Sequence, residues 1–182
     1  MAVLSFDQKK TLAAYERFYG LRYCTHSKEN SNTGSHVEMQ KMCYLLKVAG
    51  VEIGNFGYSW NFKGPFSPGL LALLRSMDRN DAEVLDFYEK TTKKDHFLSE
   101  QLDKIDELRE KLEIDAHQEE NEQWVEILGS LTYISRAMLP GADFKEVNQR
   151  LVQEKTEYCD VQKNRYAWDL LKAANLLSLI TH

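Results

Sequence analysis

Three times along the chain, a residue that favours a helix N-cap is followed three positions later by Glu or Gln at the edge of an apolar-periodic run. The pairs are Ser5 with Gln8, Ser35 with Glu38, and Asp143 with Glu146. At this spacing the first side chain accepts from the fourth residue's amide while the fourth side chain bonds back, so two orphan donors of a helix start are satisfied together. Stop and turn residues are scarce: three prolines and nine glycines in 182 residues, far fewer than a many-stranded sandwich uses. The pattern predicts a mainly α fold, a compact helical domain of about seven helices with one small β-hairpin, with 1–182 as a single domain.

The Ser5 cap opens a first helix running to about Tyr23, and 28–34 reads as a polar loop. Ser35 opens a second, in which Met42, Leu45, Leu46 and Ala49 fall at i, i+3, i+4 and i+7 and Gly50 marks the stop. The pattern then switches to alternation. Phe56, Tyr58, Trp60 and Phe62 fall on one side of an extended backbone, and Val51 to Ile53 can pair with it through a Gly54-Asn55 turn. Ser67 caps the next helix with Pro68 at its first position, and Leu70, Leu73, Leu74 and Met77 line one face. A short helix is expected over 82–88 and a hydrophilic connection over 90–95.

From Leu98, the residues Leu102, Ile105, Leu108 and Leu112 continue a narrow stripe on a charged helix. It reads either as a surface helix laid on the domain or as a coiled-coil strand. A polar break over 117–123 follows. Ile127, Leu128, Leu131, Ile134 and Met138 then face the core of a longer helix from about Trp124, stopped by Pro140-Gly141. Asp143 caps a helix that buries Phe144, Val147 and Leu151. The last helix starts near Asp160 and carries Trp168, Leu171, Ala174 and Leu177 inward.

Charge is concentrated in the middle: residues 98–123 hold three basic and ten acidic side chains, while the remainder sums to +2 of the overall −5. A domain that grips a phosphate backbone shows the opposite sign over a face. Three cysteines, Cys24, Cys43 and Cys159, form no Cys-x-x-Cys pair and follow no secretory segment, which points to a reducing cytoplasmic setting. The longest apolar runs fall well short of the roughly 20 residues of a membrane helix.

No constellation for chemistry is legible. The five histidines, 26, 36, 96, 117 and 182, are scattered, so neither a metal site nor a cofactor is expected. Ser35 and Ser67 read as caps rather than nucleophiles, and Cys43 sits in a hydrophobic helix. Gly54 and Gly57 lack the remainder of a phosphate-binding loop. The expectation is a non-enzyme that works by contact. Aromatic side chains at period two either face the core or anchor a partner, and an aromatic edge strand offers backbone groups to another strand.

The helix Met39-Gln-Lys-Met-Cys-Tyr-Leu-Leu46, the aromatic run Tyr58 to Phe62, and Lys63-Gly-Pro-Phe-Ser-Pro68 occur in that order. This arrangement resembles the Panacea and YwgA-like group of bacterial and archaeal proteins, in which a Leu-Gln-Lys-Leu-x-Tyr-Leu helix precedes Tyr-Gly-Pro-Tyr-Ser. The likeness covers 36–78 and, more loosely, 122–178. Met39 and Met42 stand where leucines are usual and Lys63 where Tyr is common, while 80–122 matches nothing in the group. The resemblance implies a helical fold with a small hairpin, in toxin-antitoxin and phage-defence settings. It further implies that the chain binds and neutralises or regulates a toxin or defence-system effector, by direct neutralisation or by handing it to a protease.

Gln40, Lys41 and Tyr44 of the helix, with Tyr58, Trp60, Phe62, Gly64, Pro65 and Phe66 of the strand and turn, are the candidate partner-binding residues. Gln40 and Lys41 either satisfy carbonyls of the nearby turn or meet the partner. The alternative reading is a winged-helix-like nucleic-acid-binding regulator with the helix after Pro68 as recognition helix, which offers only Arg75 and Arg79 as cations. A protein partner is therefore favoured over nucleic acid, no membrane is expected, and homo-oligomerisation stays open.

Overall fold

A computed structural model of the chain describes residues 5, 8, 17, 33–52, 54–77, 90 and 96–178. Six α-helices and one hairpin are present among them. In chain order they are α1 (Thr33–Val48), β1 (Ser59–Asn61), β2 (Gly64–Phe66), α2 (Pro68–Met77), α3 (His96–Lys111), α4 (Asn121–Tyr133), α5 (Phe144–Glu154) and α6 (Val161–Ala173). A 3-10 segment, Ile114–Glu120, kinks at His117 before α4, and a π turn, Ile134–Met138, follows it.

The capping logic recurs in the geometry. The Ser5 amide donates to Gln8 Oε1 at 2.7 Å and the Gln8 amide to Ser5 Oγ at 3.2 Å, the only part of the first predicted helix, with helical Arg17, inside the described residues. Asp143 and Glu146 make the same reciprocal box at the start of α5, and Asp160 accepts from Gln162 and Lys163 at the start of α6. Gly50 takes φ +79, with its amide on Lys47 O and the Val51 amide on Leu46 O, closing the end of α1 in a Schellman motif.

Several boundaries differ from the sequence expectation. Helix α1 begins at Thr33, so Ser35 lies inside it; the docking of its long buried face overrides the local start signal. The end of α4 opens into the π turn because Pro140 pushes Leu139 out of helical geometry, and the Leu139 amide reaches back to Ile134 O at 2.8 Å. Helix α6 ends at Ala173. Asn175, at φ +57, serves as the left-handed stop, so Leu177 is buried from beyond the helix. The helix expected over 82–88 lies outside the described residues.

The hairpin also closes on the other side from the expected one. Strand β1 pairs antiparallel with β2, Trp60 opposite Pro65, and not with the segment from Val51. Asn61 Oδ1 accepts the Phe62 amide at 2.6 Å and Gly64 supplies φ +91, so a tight turn forms at Phe62-Lys63.

One buried apolar cluster joins α1, α2, α3, α4, α5 and α6. Helix α4 is its axis, packing on α1, β2 and α6. The stripe Leu98, Leu102, Ile105, Leu108 and Leu112 is buried in that cluster, so α3 is a surface helix laid on the domain. Each such side chain contributes roughly 2 kcal/mol relative to exposure. The outer face of α3 carries the i,i+4 pairs Lys104 with Glu100 and Lys111 with Glu107, and Arg17 forks onto Asp106. The described residues include no helix long and apolar enough to cross a membrane.

Candidate functional site

Consecutive polar residues of α1 reach under the hairpin. Gln40 Nε2 donates to Ser67 O at 3.0 Å and the Ser67 amide donates to Gln40 Oε1 at 2.8 Å, so both ends of one side-chain amide hold the junction of β2 and α2. Lys41 Nζ donates to Pro65 O at 3.0 Å. Their exposures are 2% and 1%, which makes them supports of the hairpin rather than surface groups. Glycines let the parts approach this closely. A Cβ at Gly64 would lie 2.7 Å from Ser130 Oγ, and one at Gly129 would lie 3.0 Å from Lys41 Cβ. Gly129 in mid-helix was the one sequence signal for this contact.

Beside Lys41 lies a buried ion pair that sequence reasoning missed, Lys155 at the end of α5 with Glu126 in α4. The Lys155 ammonium also lies 5.9 Å from the Trp60 ring centroid and 5.4 Å from that of Tyr158. The neighbouring Glu154 accepts from Trp60 Nε1 at 3.1 Å. The C-terminal end of α5 therefore grips β1 while α1 grips β2.

The aromatic residues form a connected series. Tyr44 meets Tyr58 edge-on at 5.2 Å and Tyr133 at 5.5 Å, and Tyr133 meets Trp60 at 5.6 Å. Tyr44 is buried, Tyr58 and Trp60 are partly buried against the core, and Phe66 is half-buried. Phe62 departs from this pattern: at the tip of the turn it is 77% exposed. Lys63 beside it lies 3.7 Å from Glu122. Of the nine candidate residues, Gln40, Lys41, Gly64 and Pro65 come together as the support, Tyr44, Tyr58 and Trp60 as the aromatic wall, Phe62 as the projecting side chain, and Phe66 stays half-buried at the end of β2. In α2, Leu70 and Leu74 are buried and Arg75 is exposed; Arg79 lies outside the described residues.

Burial sets the electrostatics. Desolvation lowers the Lys41 pKa to about 8, opposed in part by Glu126 and reinforced by Lys155 and Lys63. Desolvation lowers that of Lys155 too, against its bond to Glu126. The same cause pushes Tyr44 up to about 12 and raises Tyr58 and Tyr158. Between about pH 8 and pH 10 the unfolded chain keeps its lysine protons while native Lys41 releases its own, so stability rises with pH across that interval. Above about pH 10 unfolded tyrosines ionise before the native ones, and stability falls. Urea denaturation across this range is expected to show a stability maximum, and Lys41→Met to remove part of the rise but not the fall. A flat profile from neutral pH to pH 10 in the natural chain would rule out this role for burial.

Among the described residues no group of three or more His, Cys, Asp or Glu converges as a metal ion would require. Cys43 is buried, with its thiol raised by desolvation alone. Comparison of the chain with protein families, with curated proteins and with solved structures finds no match. What the arrangement offers chemically is a rigid platform carrying one projecting aromatic ring.

Proposed function

We propose that the chain is a non-catalytic protein-interaction module of antitoxin-like type, which binds and neutralises or regulates a toxin or defence-system effector through its hairpin tip. The observation that carries this reading is Phe62, 77% exposed at the end of a hairpin clamped from beneath by Gln40 and Lys41. Binding energy at protein interfaces concentrates in a few aromatic or Arg anchors, and an anchor held in place loses little entropy on association. The resemblance of 36–78 to Panacea and YwgA-like proteins supports the class of partner.

Growth rescue tests the proposal. The protein encoded beside this chain is expressed to a growth-inhibiting level, and the natural chain is expected to relieve the inhibition and to co-purify with it. Phe62→Ala is expected to do neither. Equal relief by Phe62→Ala would remove the hairpin tip from the contact, and inhibition unrelieved by the natural chain would count against antitoxin-like action.

A further inference from the structure

A concavity of about 390 Å³ lies where the C-terminal half of α1 meets the end of α4, and the contact proposed at Phe62 does not include it. Its lining includes Tyr44, Tyr58 and Tyr133 and the cationic Lys47 and Arg136, and among the described residues no acidic side chain lines it. The cations come from different elements. Lys47 sits in the last turn of α1, 5.7 Å from the Tyr58 ring centroid, with one N–H on Phe56 O at 2.6 Å. Arg136 belongs to the π turn and spends one N–H on Leu176 O at 3.5 Å.

Both side chains are exposed, and among the described residues neither pairs with a carboxylate. An ammonium has three donors and a guanidinium five, so most of their hydrogen-bonding capacity faces the groove or solvent. The groove is thus cationic on a chain whose net charge is −5. The π turn that Pro140 imposes on the end of α4 places Arg136 within it and Tyr133 just before it, so both side chains reach the groove.

We propose that this groove binds a nucleoside monophosphate, with the base against the partly exposed rings of Tyr58 and Tyr133 and the phosphate between Lys47 and Arg136. Base stacking on an aromatic ring contributes about 1–3 kcal/mol, and a guanidinium fork matches two phosphate oxygens. The volume falls at the lower end of the roughly 300–1,000 Å³ of small-molecule sites. The source is the free nucleotide and not a strand, because two cations on a chain of net charge −5 are too few to hold a polyanion.

Isothermal titration of the full chain tests this with each ribonucleoside monophosphate, and with inorganic phosphate, an uncharged nucleoside and a short oligonucleotide as separate arms. At least one mononucleotide is expected to bind about tenfold or more tighter than phosphate or nucleoside alone. Lys47→Ala and Arg136→Ala are each expected to weaken it about tenfold, with Arg136→Lys intermediate, and to lower the melting temperature only by the loss of one carbonyl bond each. Mononucleotides no tighter than phosphate, affinity indifferent to both substitutions, or preference for the oligonucleotide would each overturn the proposal. The result is separable from partner binding, because Phe62→Ala is expected to leave nucleotide affinity unchanged.

Discussion

Lys155→Ala is expected to destabilise the fold by about 3–5 kcal/mol in urea denaturation, because it leaves Glu126 buried and charged without its partner. Loss of the lysine also removes a cation from the Trp60 and Tyr158 rings, so β1 loses one of its two holds on α5. Replacing both charges, Lys155→Met with Glu126→Leu, is expected to recover most of that loss, since no uncompensated charge then remains. A Lys155→Ala cost under about 1 kcal/mol would mean that the pair is not buried in solution.

Trp124→Ala is expected to cost a similar amount, about 3–5 kcal/mol, for a different reason. The indole is fully buried at the start of α4, donates through Nε1 to Leu112 O at 2.9 Å, and stacks on His117 at 4.2 Å. It therefore ties the end of α3 to the central helix across the kinked connection. Trp124→Phe keeps much of the volume but orphans the Leu112 carbonyl, and is expected to cost about 1–3 kcal/mol. Equal losses for Phe and Ala would show that packing contributes nothing beyond the hydrogen bond.

Elements fixed by neighbours in sequence were legible, and those fixed across the fold were not. The boxes at Ser5 and Asp143, the caps at Ser67 and Asp160, and the stops at Gly50 and Gly141 lie within a few residues of what they satisfy. The apolar stripe of α3 was legible for the same reason, since a helix's buried face is written at i, i+3 and i+4. Strand β2 was hidden because Gly64-Pro65-Phe66 reads locally as a turn, and what holds it there are Gln40 and Lys41, 24 to 27 residues away. Lys41 and Lys155 pattern as surface residues because burying an ammonium is costly. A carbonyl in one case and Glu126 in the other make it tolerable, and neither partner is marked in the sequence. In the candidate site, the aromatic run and the Gln40-Lys41 pair were visible, but their division into support and projecting tip depends on the turn that exposes Phe62.

The dissociation constant of the purified chain with the protein encoded beside it, measured for the natural sequence and for Phe62→Ala, addresses the hairpin-tip contact most directly. Because Phe62 is 77% exposed, the substitution is expected to leave the melting temperature almost unchanged. A central aromatic anchor contributes about 2 kcal/mol or more, so a loss of roughly thirtyfold in affinity is expected. Equal affinity for the two proteins would contradict the assignment of the hairpin tip as the contact.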